Sequence, residues 1–175
     1  MRIAYADPPY IGCAHYYEEN QEVNHLDLTK TLCTEYDGWA LSLHSPSLPM
    51  ITNMLELEGF HALDGDYRIG AWVKPFCSFK KHVNPAYAWE PIIFRCARSG
   101  AMDKDTVRDW VAESITLKRG MVGVKPRAVA WWLFELLGAD PMDEFIDMYP
   151  GTGAVTLAWE SWKDSKKHYQ IEFIS

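Results

Sequence analysis

The chain has 175 residues, 48% of them hydrophobic, which fits one packed domain (1–175) and leaves no room for a second catalytic unit. Its net charge of −7 disfavours a nucleic-acid partner only if the charge is even, and it is not: Lys74 to Arg127 holds eleven Lys or Arg against five Asp or Glu (+6), and the remainder six against nineteen (−13). Met1 to Tyr10 lacks the basic start and long apolar run of a secretory signal, and no stretch is long enough to span a bilayer, so a cytoplasmic protein without a membrane partner is expected.

Arg2 to Ala6 is a short apolar run stopped by Asp7-Pro8-Pro9, where successive prolines can continue neither a ladder nor a helix; it reads as a buried strand ending in a stiff loop. Asn24 caps a helix carrying Leu26, Leu28, Leu32 and Cys33 and ending near Gly38. Trp39 to Leu43 is a second strand, and Ser45-Pro46 opens a second helix through Met50, Met54, Leu55 and Leu57. This strand–helix alternation is the rhythm of a parallel sheet with helices on both faces. Tyr67 to Val73 and Trp89 to Cys96 read as an antiparallel pair, joined by a loop rich in Lys, Phe and Tyr.

Asp105 to Ser114 reads as helical, with Gly120 and Gly123 marking a connection. From Pro126, the residues Val129, Trp132, Leu133, Leu136 and Leu137 fall on one face of a helix that ends at Gly138, with Trp131-Trp132 assigned to packing. Glu144 to Met148 is a further buried strand, Gly151-Thr152-Gly153 leads into a helix through Val155, Leu157, Ala158 and Trp162, and Tyr169 to Ile174 is expected to close the chain as a strand.

Two motifs carry chemistry. Phe145 to Ala154 delivers a glycine turn between a strand and a helix, which lets a ligand approach bare backbone at a helix N-terminus. It is not a G-x-G-x-x-G element, because Thr156 stands where the third glycine belongs, and it has no G-K-[S/T]. Glu172, within the expected last strand, is a candidate for holding ribose hydroxyls. The second motif is Asp7-Pro8-Pro9-Tyr10. The exocyclic amine of adenine or cytosine is a poor nucleophile because its lone pair is delocalised into the ring, so a catalyst must draw its hydrogens toward acceptors. Asp7 offers a carboxylate oxygen, the Pro8 carbonyl a second acceptor, and Tyr10 a flat face for an unstacked base.

On these residues the chain resembles the S-adenosylmethionine-dependent amino-methyltransferases that modify N6 of adenine or N4 of cytosine, including MT-A70-like adenine enzymes and their phage relatives. Asp7-Pro8-Pro9-Tyr10 matches the catalytic D-P-P-Y motif, and Asp147 to Gly153 the D-x-F-x-G-x-G cofactor turn, with Tyr149 in place of phenylalanine. Trp72-Val73-Lys74 resembles the W-x-K strand, Glu90-Pro91-Ile92-Ile93 the E-x-I-I strand, and Lys125-Pro126 the K-P before the cofactor strand. The resemblance implies a Rossmann-like methyltransferase fold in permuted order, catalytic motif before cofactor motif, with the sheet one strand short of the usual seven. It implies transfer of a methyl group from S-adenosylmethionine to an amino group of a DNA base, adenine N6 ahead of cytosine N4. Asp7, Pro8, Pro9 and Tyr10 would be catalytic, and Asp147, Tyr149, Gly151, Thr152, Gly153, Glu172, Lys125 and Pro126 would bind the cofactor.

The substrate would meet Lys74, Lys80, Lys81, Phe79 and Tyr87 in the basic region 74–127, which is otherwise a solvated face. Ala97 to Gly123 is too short for a large target-recognition domain, so selectivity would rest on loops or on a homodimer. Cytosine C5 chemistry is disfavoured because none of Cys13, Cys33, Cys77 and Cys96 follows a proline, and their spacing suits reduced structural thiols rather than zinc or disulfides. The six histidines lack ligand spacing, so no metal is expected. A non-catalytic nucleic-acid-binding subunit with this fold is the rival from another class, and a methyltransferase for protein or free nucleoside is a third reading.

Overall fold

The computed structural model describes residues 1–12, 22–76, 81–98, 106–116 and 124–172, the last five of these by backbone alone. Strand β1 (Arg2–Ala6) buries Ile3 to Ala6 in succession, because helices cover both faces of a central parallel strand. With β2 (Gly38–Ser42), β3 (Arg68–Val73), β4 (Trp89–Arg95), β5 (Trp110–Ala112) and β6 (Glu144–Asp147) it forms a six-stranded sheet of order β5-β3-β4-β2-β1-β6. Only β4 opposes its neighbours; β1 pairs in parallel with both β2 and β6, and β3 with β5.

Residues alternate between the sheet's two faces, as a period of two requires. Ala4, Ala6, Trp39, Leu41 and Ile93 pack beneath α1 (His25–Glu35) and α2 (Leu48–Leu57). Ile3, Tyr5, Ala40, Ile92 and Phe94 face α3 (Arg127–Leu136) and α4 (Ala154–Glu172). The second layer is aromatic: Phe134 meets the rings of Phe145 and Trp159 edge-on, with centroids 5.2 and 5.1 Å away, and Trp159 stacks on Trp162. Asn24 caps α1 by accepting from Asp27 N at 3.3 Å, and Trp132 is buried with its Nε1 donating to Arg108 O at 2.8 Å.

Three expectations are corrected. Within Asp105–Ser114, the described part holds no helix; Trp110–Ala112 is the edge strand β5, admitted beside β3 because Gly70 has no side chain. A Cβ there would lie 2.7 Å from Asp109 O, the carbonyl that accepts from Ala71 N. The closing strand expected at Tyr169 to Ile174 is instead the end of α4, at least to Glu172, because no glycine or proline interrupts the helix after Gly153. The sheet thus has six strands among the described residues, but with 110–112 in place of 169–174. Strand β6 is only half-buried, since it pairs on one side alone and forms the sheet's other edge.

One ion pair ties the β4 end to the loop before β6: Arg98 donates through both terminal nitrogens to Asp143 at 2.6 Å. Burial alone would push the Asp143 carboxyl up from its ordinary 3.8, but the Arg98 fork and the Met1 amino group hold it down at about 2. A carboxyl depressed on folding stabilises above its unfolded value and loses that contribution as pH falls through the folded one. Asp143→Ala is therefore expected to cost about 2 kcal/mol at pH 7, with the difference from wild type shrinking below about 1 kcal/mol near pH 2.5 in urea melts. A difference that stays constant over that range would contradict the assignment.

Candidate active site

Strands β1 and β6 lie side by side with Tyr5 opposite Asp147, and Met148 N donates to Tyr5 O at 2.9 Å. Both therefore deliver their next residues to the same edge of the sheet, on strands about 4.8 Å apart. The chain leaves β1 toward β2 on one side while β6 returns on the other, and such a reversal opens a crevice at the strand ends. Asp7-Pro8-Pro9-Tyr10 enters it from β1, and Asp147 to Gly153 from β6.

Asp7 sits at the head of a chain of alternating charge. Lys125 Nζ lies 3.2 Å from Asp7 Oδ2 and also bonds Glu90 Oε1, while Lys74 Nζ donates to Glu90 Oε2 at 3.0 Å. The indole of Trp72 lies against both ammoniums, with its ring centroid 4.4 Å from Lys74 Nζ and 5.1 Å from Lys125 Nζ. The Trp72 ring is oriented by its own donation to Glu113 O at 2.7 Å. Two cations and two carboxylates thus neutralise one another where water is largely excluded, the only arrangement in which such charges are tolerable.

Burial is the largest single influence on each group here, but the neighbouring charges decide the net direction at two of them. It raises the Asp7 carboxyl above its ordinary value despite the Lys125 ammonium. It opposes ionisation of Glu90 as well, yet Lys125 and Lys74 together outweigh it and hold that carboxyl low. Lys125 would lose its proton more readily through burial, but Asp7 and Glu90 raise it well above the ordinary lysine value. Burial, with the Asp7 charge, raises the Tyr5 phenol, whose oxygen shares a hydrogen bond with Ser42 Oγ at 2.7 Å.

Tyr10 is half-buried, its ring stacked on His44 with centroids 4.9 Å apart and planes 6° from parallel. Burial pushes its phenol up, so the ring is neutral at ordinary pH.

On the β6 side, Gly151 and Gly153 adopt φ of +46° and +73°, conformations that side chains rarely take. A Cβ at Gly153 would meet nothing within 4 Å and one at Gly151 only Tyr149 O at 4.0 Å, so the turn faces open space. Asp147 Oδ2 accepts from Thr156 Oγ1 at 3.0 Å, whereas Oδ1 is buried with no partner among the described residues, and burial raises the carboxyl. An unpartnered buried oxygen beside an open glycine turn at a helix N-terminus is what a ligand with donor groups would complete. A groove of about 190 Å³ lies alongside, lined by Lys125, Arg127, Ala154, Leu157, Ala158 and Ser161.

The residues expected from the sequence are partly brought together. Asp7 and Tyr10 converge with Lys125, whose ammonium is committed to Asp7 and Glu90 while the residue lines the groove beside α4. Lys74 is not an exposed phosphate-binding cation: its ammonium is held by Glu90 against Trp72. Lys81 and Tyr87 are exposed, whereas Phe79 and Lys80 lie outside the described residues. Glu172 is on helix, eighteen residues from the start of α4 and so roughly 27 Å along its axis, which removes the strand end that a ribose contact needed. Glu90 and Trp72 belong to the site although only the family strands pointed to them; the signal was a carboxylate within the apolar run Trp89 to Phe94. Among the described residues no cluster of three or more His, Cys, Asp or Glu could hold a metal ion, and no helix is long and apolar enough to cross a membrane.

No family model matches the sequence, and no curated protein matches it. Solved structures do. The crystal structure of the M1.HpyAVI–SAM complex superposes with a TM-score of 0.60 at 15% identity, over 93% of this chain and 78% of that one. The crystal structure of M1.HpyAVI gives a TM-score of 0.55 at 14% identity, over 93% and 76%. At such identities the likeness defines the fold alone: the chain shares the α/β architecture of these two structures, a mostly parallel six-stranded sheet among the described residues with helices on both faces.

Proposed function

We propose that this chain transfers a methyl group from S-adenosylmethionine to an exocyclic amino group of a DNA base, adenine N6 in the first place. One observation carries the reading: Asp7-Pro8-Pro9-Tyr10 and the Asp147–Gly153 turn leave adjacent parallel strands at one edge of the sheet. Two further supports are the architecture shared with M1.HpyAVI, solved as a SAM complex, and the resemblance of both motifs to those of amino-methyltransferases, here in the permuted order.

Asp147, Tyr149, Gly151, Thr152 and Gly153 would hold the cofactor, with Asp147 Oδ1 free to accept from it. Lys125 and Arg127 line the groove, and Pro126 between them, the N-cap residue of α3, would help hold the cofactor as the K-P element. S-adenosylmethionine supplies, when bound, an electrophilic methyl group on a sulfonium.

The chain's own residues act on the amine. The Asp7 carboxylate and the Pro8 carbonyl accept its two hydrogens, which turns the nitrogen lone pair out of the base plane. Asp7 must be anionic to do so, and the Lys125 ammonium opposes the effect of burial on it. Tyr10 presents a neutral ring for the base. The pyrrolidine rings of Pro8 and Pro9 restrict the loop, so most of the acceleration comes from alignment. Exposed Lys81 and Tyr87 would meet the nucleic acid, with Phe79 and Lys80 in the same stretch.

Incubating DNA with S-adenosylmethionine labelled in the methyl group is expected to label the DNA; label appearing only in RNA or protein would overturn the substrate class. The cofactor half is tested by calorimetry. Wild type is expected to bind S-adenosylmethionine, and Gly151→Trp to lose binding at least tenfold, since its φ of +46° and the open space beyond are both abolished. Unchanged affinity in that variant places the cofactor elsewhere.

A further inference from the structure

We propose that His44 is a positioning residue for the target base: its imidazole backs the Tyr10 ring so that base, Tyr10 and His44 form one continuous stack. The inference rests on the amino-methyltransferase reading and assigns a part to a residue outside both motifs.

The catalytic loop is tied at Asp7 by Lys125, and His25 interacts with the Pro9 carbonyl. Pro8 and Pro9 have no N–H with which to bond the body of the protein, so at these positions the backbone cannot anchor the loop through donors. Its terminal ring is a remaining tie, and that ring lies on His44 at 4.9 Å and 6°. Such a near-parallel pair is the geometry a base would extend.

His44 is itself fixed. Its Nδ1 shares a hydrogen bond with Ser47 Oγ at 2.8 Å, and Ser47 N donates to His44 O at 2.9 Å, closing a short turn around Pro46. Ser47 is buried. The preceding residue binds the sheet through Leu43 N to Pro91 O at 3.2 Å, next to Glu90 of the charge network. His44 therefore links the ring of the acceptor loop to the two strands, β2 and β4, that frame the site. A fixed imidazole sets the tilt of Tyr10, and the tilt of Tyr10 sets the plane in which the amine meets Asp7 and the Pro8 carbonyl.

The test compares His44→Ala, His44→Phe and wild type in three measurements. In steady-state methylation of DNA, His44→Ala is expected to raise KM for DNA roughly three- to tenfold, the size of one aromatic stack, with calorimetric affinity for S-adenosylmethionine unchanged. His44→Phe, which keeps a ring but loses the bond to Ser47, is expected to restore most of that loss. In spectra of protein labelled at tyrosine, the Tyr10 ring resonances, assigned by Tyr10→Phe, are expected to move in His44→Ala and to return toward wild type in His44→Phe. Unmoved Tyr10 resonances in His44→Ala, an unchanged KM, or a Phe variant as impaired as Ala each overturn the proposal. If wild type methylates no DNA, the functional reading fails first, and the Tyr10 resonances alone then decide whether His44 holds that ring.

Discussion

Asp7→Ala is expected to lower methyl transfer to DNA by roughly a hundred- to a thousandfold, the range seen when a group that stabilises developing charge is removed, while S-adenosylmethionine affinity stays within about threefold of wild type, because on the proposed function Asp7 would meet the amine and not the donor. The structure makes the separation testable, since Asp7 lies on the β1 loop and the glycine turn on the β6 loop. Burial raises the Asp7 carboxyl above its ordinary 3.8, so wild-type turnover should fall on the acid side at a higher pH than a solvated aspartate would give. Asp7→Asn should be as inactive as Asp7→Ala, because an amide cannot accept with the strength of a carboxylate. An Asp7→Ala protein that methylates at the wild-type rate would remove Asp7 from the chemistry.

Lys125→Met is the change with the largest expected effect on stability. It removes the cation between two carboxylates whose side chains are 24% and 4% exposed, Asp7 and Glu90, leaving Glu90 with Lys74 alone and Asp7 with no ammonium at hydrogen-bond distance among the described contacts. Breaking one partner out of a buried ionic cluster costs about 3–5 kcal/mol. The pH dependence has a definite sign. Glu90, held below its ordinary value, contributes stability above its unfolded pKa and loses it as pH falls through the lower folded value. Asp7, raised on folding, does the reverse: its charge costs stability at neutral pH, and the cost disappears as it protonates. The penalty of Lys125→Met should therefore be greatest near pH 7 and shrink in acid, because in the variant both carboxyls, having lost the Lys125 ammonium, protonate at higher pH than in wild type; urea melts at pH 7 and pH 4 measure it. A penalty that grows toward pH 4 would contradict the network. Lys125→Arg keeps the charge but cannot place one nitrogen between both oxygens in the same way, so an intermediate loss is expected.

The sequence made the central strands and both motifs visible because they are local. Ile3 to Ala6 is a continuous apolar run stopped by prolines, and the glycines of the β6 turn are needed where φ turns positive. What it hid depends on long-range pairing. Strand β5 has only three residues and exists because Ala71 pairs with Trp110, 39 positions further on, a contact that no local period in Asp105 to Ser114 reveals. The tail from Tyr169 alternates aromatic and aliphatic residues with polar ones, which suits a strand, but the helix begun at Ala154 meets no breaker and continues at least to Glu172. Lys74 looked like a phosphate contact because charge counting shows a basic region without showing that this cation, like Lys125, turns inward to Glu90. Glu90 was legible only through the resemblance of Glu90-Pro91-Ile92-Ile93 to the family's E-x-I-I strand, and His44 not at all, since a lone histidine after a strand carries no pattern.

Activation of a base amine by Asp7-Pro8-Pro9-Tyr10 for methylation by S-adenosylmethionine is tested most directly by nucleoside mass spectrometry of DNA treated with the wild-type protein and the cofactor. N6-methyladenine is expected, formed by wild type and absent with Asp7→Ala. C5-methylcytosine, or unmodified DNA after treatment with a folded, S-adenosylmethionine-bound protein, would contradict it.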